Sequence, residues 1–280
     1  MLHYPIKILY VQLRTFGDVL VSTMILRKLK EKYQNSIIDY YTTTDCVDLL
    51  IGNPIINTIY TEINPPYQAK YDVIFRPYKC LQEASGWHLS GKHWADLYAE
   101  VCGVDLQGKY IPEFYNIGEV KEEDRLNVHL ILIQCKTRDN AKEWDRFTEL
   151  VELLNKNNYL VKQIGEADES IVPGAYSLLG QTTFSESAAY MKSAITTVCL
   201  DSITQHLAGA IGASYISLHG PKPSSMVSTG DRHSKQLSID PPSRNGCEKA
   251  CHLAVCTKEN KCINNIEPSQ IFETIESWSF

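Results

Sequence analysis

Two acids in this chain, Asp18 and Asp201, each stand where an apolar run gives way to a helix-like segment. Asp18 lies in "RTFGDVLVST", directly after "IKILYVQL". Such a run reads as a buried parallel strand, and open α/β sheets bind ligands at the carboxyl ends of their strands. Asp18 is there either as a cap for the next helix or as a carboxylate that takes a proton from a bound hydroxyl. Gly17 is expected to make the tight turn that presents it. This half has no G-x-G-x-x-G after its first strand, which weakens a dinucleotide-binding reading.

The second half offers a matching place in "TTVCLDSITQHLAGAIGASYISLHGP". A helix start after a parallel strand carries free N–H groups and a positive dipole end, suited to a diphosphate. Ser202 adds a hydroxyl. Asp201 repels phosphate, so it is expected to bond the helix start or a sugar hydroxyl. His206, one turn in, either reaches the same place or is an internally bonded core histidine. In "QCKTRDNAKEWDRF" the cations Lys136, Arg138, Lys142 and Arg146 read as a local anion-facing patch or as a solvated loop and helix face. Lys142, next to Glu143-Trp144, stands out among them. In "IGEADE" Glu166 is placed to accept hydrogen bonds from ribose hydroxyls.

Cys247, Cys251, Cys256 and Cys262 crowd into "CEKACHLAVCTKENKC", with His252 among them. Four thiols at this density suit a structural zinc or iron site, the alternative being reduced thiols in a loop. The five others, Cys46, Cys80, Cys102, Cys135 and Cys199, are scattered and read as small buried hydrophobes.

Positioning these groups takes an alternation of strands and helices. Strands are expected in "IKILYVQL", "SIIDYYTT", "YDVIFRP", "VHLILIQC", "YLVKQIG", "ITTVCL" and "ASYISLHG". Helices are expected in "DVLVSTMILRKLKEKY", "KHWADLYAEV" up to Gly103, "EWDRFTELVELLNKNN", "SITQHLAGAIG" and "PSQIFETIESWSF". "TFSESAAYMKSA" adds a helix whose Thr183 and Glu186 have capping-box spacing. The charged stretch "EVKEEDR" marks a boundary between domains 1–122 and 123–280. The class is therefore α/β, with two facing Rossmann-like domains built on parallel sheets.

Composition bounds the partners. With 280 residues, 44% hydrophobic and 21% charged, the chain is ordinary globular protein. Its formal charge of -6 argues against nucleic acid as a partner. No apolar stretch approaches the ~20 residues that span a bilayer, and the N-terminus lacks a signal-peptide pattern, so a cytoplasmic location with at most peripheral membrane association is expected.

Taken in order, "RTFGDVLVSTMILRKLKEKY", "LLIGNPIINTIY" and "LLGQTTFSESAAYMKSAITTVCLDSITQHLAGAIGASYISLHGP" resemble the ADP-heptose:lipopolysaccharide heptosyltransferase family, glycosyltransferase family 9. The resemblance implies a GT-B fold. It also implies inverting transfer of a sugar from a nucleotide-sugar donor, ADP-heptose, to a hydroxyl of a glycan or other acceptor, without a catalytic metal. It makes Asp18 the base and gives Lys142 the donor phosphate or sugar. It puts donor contacts on Asp201, Ser202 and His206, and a ribose contact on Glu166. Ile203 departs from the family pattern, which has glycine after D-[ST]. Two other classes fit these features: a nucleotide-sugar epimerase of the same fold, and a non-catalytic nucleotide-sugar-binding protein, which Ile203 favours.

Overall fold

The computed structural model describes residues 4–79, 90–121, 129–247, 251 and 253–278. The chain divides into two compact units, Met1–Asn116 and Ile117–Phe280. Most of the charged stretch 119–125, together with Cys80 and His252, lies outside the described residues.

The first unit runs β1 (Ile6–Val11), α1 (Phe16–Lys32), β2 (Ser36–Tyr41), β3 (Ile56–Tyr60), β4 (Val73–Phe75) and α2 (Trp94–Cys102). Its sheet has the order β3-β2-β1-β4 and is parallel throughout. Ile8, Leu9 and Tyr10 are fully buried, as a central parallel strand requires. Helix α1 is buried without a break from Asp18 to Leu26. Its two buried hydroxyls bond back along the helix, Ser22 to the Val19 carbonyl at 2.7 Å and Thr23 to the Leu20 carbonyl at 2.6 Å. Helix α2 ends at Gly103, whose left-handed φ of 62° suits the glycine read there from the sequence.

The second unit runs β5 (Leu130–Ile133), α3 (Phe147–Lys156), β6 (Leu160–Gln163), β7 (Tyr176–Ser177), α4 (Phe184–Ser193), β8 (Thr196–Leu200), α5 (Ile203–Ile211), β9 (Tyr215–Leu218), α6 (Ser224–Val227), β10 (Gln236–Ile239) and α7 (Pro268–Trp278). Its sheet order is β10-β9-β8-β5-β6-β7, again all parallel. Strands β5, β8 and β9 supply Ile131, Ile133, Val198, Leu200, Ile216 and Leu218 to one core, which Trp144, Leu150, Ile271 and Ile275 complete. The capping box of Thr183 and Glu186 forms at the start of α4.

Strands β3, β7 and β10 are not among the segments expected from the sequence. They are short or flanked by polar residues, and only the neighbouring strand makes them strands. Cys46, Cys102 and Cys199 are buried as expected, while Cys135 is partly exposed.

Helix α5 packs unusually close to the loop at Thr229. A Cβ at Gly209 would stand 2.8 Å from the Thr229 carbonyl oxygen and 2.9 Å from the Gly230 Cα. Gly209→Ala is therefore expected to destabilise the protein by about 1–3 kcal/mol, the usual cost of overpacking. Urea unfolding reads this directly, and an unchanged midpoint would refute the close approach.

Candidate active site

Polar residues gather where the strands of each unit end. In the first unit the chain turns over residues 12–15, and Thr15, with extended φ and ψ of -70° and 166°, is the N-cap of α1. This corrects the expectation for Gly17. It is the second residue of the helix and not among the positive-φ glycines, because the turn is complete before it.

Asp18 occupies the third helical position and is buried. Its Oδ2 accepts the Thr15 backbone N–H at 3.2 Å and the Thr15 hydroxyl at 2.6 Å. Arg14 Nε stands 3.5 Å from the same oxygen. Its Oδ1 accepts the hydroxyl of Tyr98, fully buried on α2, at 2.5 Å. Asp18 is thus a cap, and its carboxylate is oriented from both sides. Tyr98 escaped the sequence reading because Trp94 and Tyr98 at helical spacing look like an apolar face. One residue past β1, the Gln12 carboxamide is buried without hydrogen-bond partners among the described residues.

In the second unit Lys142 Nζ lies 2.8 Å from Asp201 Oδ2 and 3.4 Å from the Asp201 carbonyl oxygen. Asp139 stands 4.0 Å away. Burial alone raises the Asp201 carboxyl, but Lys142, aided by His219 and Lys222, overrides it and holds the group below the usual carboxylate range. Of the two partners expected for Asp201, the helix start and a sugar hydroxyl, the first is corrected here. The lysine is the stronger partner, and Ser202 already caps α5 by accepting the Thr204 N–H at 3.3 Å. The Ser202 hydroxyl also donates to Gln134 Oε1 at 2.8 Å, so its hydrogen is committed inside the fold.

His206 takes the second of its two readings. It is buried, with Nδ1 2.8 Å from the Thr229 hydroxyl oxygen. Of the cationic patch, Lys136 pairs with Glu143 at 3.2 Å, and Arg146 pairs with Glu149 at 2.9 Å and Glu267 at 2.8 Å. Lys142 is the member directed to the strand ends.

Glu166 is exposed, and its backbone N–H donates to Glu169 Oε1 at 2.9 Å. Glu169 is the acid folded against this edge. Its Oε2 is buried with no hydrogen-bond partner among the described residues, and burial pushes the carboxyl up. Gly165 permits the fold-over, since a Cβ there would stand 2.5 Å from Glu169 Oε2. Glycine followed four residues later by an acid was the signal available in the sequence.

His219, one residue past β9, was also missed. It is fully buried, and its Nε2 lies 2.9 Å from Ser217 Oγ and 3.1 Å from Ser228 Oγ.

Cys247, Cys251, Cys256 and Cys262 line one cavity of about 20 Å³, together with Arg244 and Lys258. The space admits one ion, and soft thiol donors suit zinc or iron. Among the described residues, however, no three ligating groups converge to hold a metal ion. Burial pushes the Cys262 thiol up, while Arg244 pulls it down. The segment is tied to its surroundings through the backbone: Ala141 N–H donates to the Ala254 carbonyl at 3.0 Å, and Cys251 N–H to the Pro221 carbonyl at 2.6 Å.

An α/β chain with two all-parallel sheets, and with acids and a paired lysine gathered at strand ends, has the GT-B architecture of glycosyltransferases. The model of glycosyltransferase family 9 (heptosyltransferase) matches residues 68–254, and the chain belongs to that family. It is 24% identical over 278 residues to lipopolysaccharide heptosyltransferase 3 of Escherichia coli, covering 74% of this chain and 82% of that protein. The dodecameric iron-containing heptosyltransferase TibC in complex with ADP-D-beta-D-heptose superposes with a TM-score of 0.76 at 16% identity, over 98% of this chain and 76% of that one. E. coli ADP-heptose lipopolysaccharide heptosyltransferase II superposes with a TM-score of 0.63 at 16% identity, over 98% of both chains. No helix among the described residues is long and apolar enough to cross a membrane.

Removing one member of a largely buried ion pair leaves the other uncompensated. Lys142→Met is therefore expected to destabilise the protein strongly, and Asp201→Asn in the same chain to recover much of the loss. Strict additivity in urea unfolding would refute the coupling. The sign with pH follows from the lowered Asp201 carboxyl. Its contribution is fully present above the unfolded value of ~3.9 and is lost as pH falls further through the folded value. Asp201→Asn should flatten the acid side of the stability curve below about pH 4.

Proposed function

We propose that the chain is an inverting heptosyltransferase. It moves a heptose from ADP-heptose to an acceptor hydroxyl in lipopolysaccharide or a related surface glycan. The observation that carries this reading is the Lys142–Asp201 pair, held where β8 hands over to α5 in a family 9 glycosyltransferase. The second unit binds the nucleotide-sugar. Lys142 neutralises charge developing on the leaving diphosphate, in the way preorganised cations stabilise such transition states. Asp201 and the start of α5 orient the donor. Glu166, exposed just past β6, keeps the ribose role that the resemblance implies, with Glu169 folded beneath it onto its backbone N–H.

In the first unit Asp18 is the general base. Tyr98 and Thr15 fix its carboxylate plane, and an acceptor of two hydrogen bonds per oxygen keeps one site on Oδ1 for an incoming hydroxyl. The hydroxyl oxygen attacks the anomeric carbon, its proton passes to Asp18, and the nucleoside diphosphate leaves in a single displacement that inverts configuration. The positive charge for the leaving group comes from a side chain, so the reading calls for no catalytic metal. The enzyme works in the cytoplasm, at most peripherally on the membrane, without nucleic acid.

In this reading the four thiols, which share one cavity without converging among the described residues, draw together around a structural zinc or iron ion. Elemental analysis of purified protein is expected to find about one metal per chain, lost on Cys256→Ser and Cys262→Ser exchange together. Stoichiometry near zero from metal-supplemented cells would refute it.

A panel of nucleotide-sugars in a thermal-shift assay, followed by transfer to candidate glycans, tests the activity. ADP-heptose is expected to stabilise the protein most. Asp18→Asn is expected to lower transfer by about 10²–10⁴-fold with donor binding intact, the range for general-base removal. Full activity of that variant would refute the base. Ile203, at the first position of α5, favours a second reading as a non-catalytic nucleotide-sugar-binding protein. Donor stabilisation without turnover across the acceptor panel would establish that reading, and turnover of donor alone would point to an epimerase.

A further inference from the structure

Lys142 poses a problem for any anion that comes to it, because its ammonium is engaged by Asp201 at 2.8 Å. A diphosphate that draws the lysine toward itself weakens the counter-charge of a buried carboxylate, which is costly unless another partner takes over. The structure places that partner alongside. Leu200 of β8 and Leu218 of β9 are register partners. Asp201 and His219, each one residue further on, therefore sit side by side at the carboxyl edge of the sheet. The His219 ring is fully buried and anchored through Nε2 by the hydroxyls of Ser217 and Ser228. Its other nitrogen, Nδ1, has no hydrogen-bond partner among the described residues. An unpartnered polar atom at full burial calls for a function.

We propose that His219 takes over Asp201 when a nucleoside diphosphate draws on Lys142, so that nucleotide binding takes up a proton from solvent onto His219 Nδ1. With Nε2–H donating to the serine hydroxyls, Nδ1 is the bare nitrogen that receives the proton and then donates to the carboxylate.

The surroundings set the direction. Burial holds the imidazole neutral in the unliganded protein. Asp201 and Asp240 favour the charged ring, and Lys142 and Arg244 oppose it. Lys222 adds positive charge near Asp201. A diphosphate adds negative charge to this balance and turns Lys142 outward, and both changes favour the imidazolium.

The inference rests on the proposed donor site and is tested without turnover. Calorimetry of the full chain with ADP, UDP and GDP, at about pH 7 in PIPES, HEPES and Tris, reads protons from the dependence of heat on buffer ionisation. The expected result is uptake of about one proton per bound nucleotide. In His219→Gln, which keeps an amide donor but cannot titrate, uptake is expected to vanish and affinity to fall by about tenfold. Binding without proton uptake, or equal uptake in the glutamine variant, overturns this inference alone. Absence of binding by all three nucleotides overturns the donor site and this inference together. Should His219→Gln not fold, the proton count of the unsubstituted protein decides.

Discussion

The second unit is organised around a charge that cannot be left alone. Asp201 is almost wholly buried, and what makes its ionisation tolerable is Lys142, reaching back from the β5–α3 loop. The pair fixes that loop against the end of β8, 59 residues on in sequence. Other polar groups arrange themselves around the decision. Ser202 is committed to the helix start and to Gln134, so the first turn of α5 is stabilised from within. An anion arriving here meets a preformed electrostatic arrangement, and its binding energy is the difference between two ways of compensating one carboxylate.

The first unit solves a similar problem without a salt-bridged partner at short range. Asp18 is held by neutral donors, the Thr15 amide and hydroxyl and the Tyr98 hydroxyl, with Arg14 Nε further off. A carboxylate used as a helix cap is usually counted as structural. Here the same hydrogen bonds that cap α1 also fix the plane of the carboxylate, so capping and chemistry call for the same geometry. Ser22 and Tyr40, bonded at 2.6 Å, brace the helix against β2 beneath it.

What the sequence made legible was local. The apolar runs of β1, β5, β8 and β9, the glycine after α2 and the capping box of α4 each depend on residues within one turn or one strand of each other. The order of motifs was enough to reach the fold and the family. Side-chain partners across long separations were not legible. Tyr98 meets Asp18 from 80 residues away, and an aromatic on a helix face carries no mark of what its hydroxyl touches. Glu166 and Glu169 are equally acidic on paper; the backbone turn at Gly165 decides which one is folded inward. His206 sits one turn into the right helix, yet its ring bonds to Thr229. Asp201 reads from the sequence as a partner of the helix start or of a sugar hydroxyl, because Lys142 lies 59 residues away and nothing local marks the pair.

The sheets also bear on how the chain avoids sticking to itself. Every pairing in both is parallel, so each strand must wait for a distant segment, and unpaired edges persist while the chain folds. At one border of each sheet the finished edge is small: β4 has three residues and β7 two. So short a ladder gives a neighbouring molecule few backbone groups to copy, and a strand of that length adds little to an intermolecular sheet. The two shortest edge strands thus close off one side of each sheet and limit the templates for aggregation there.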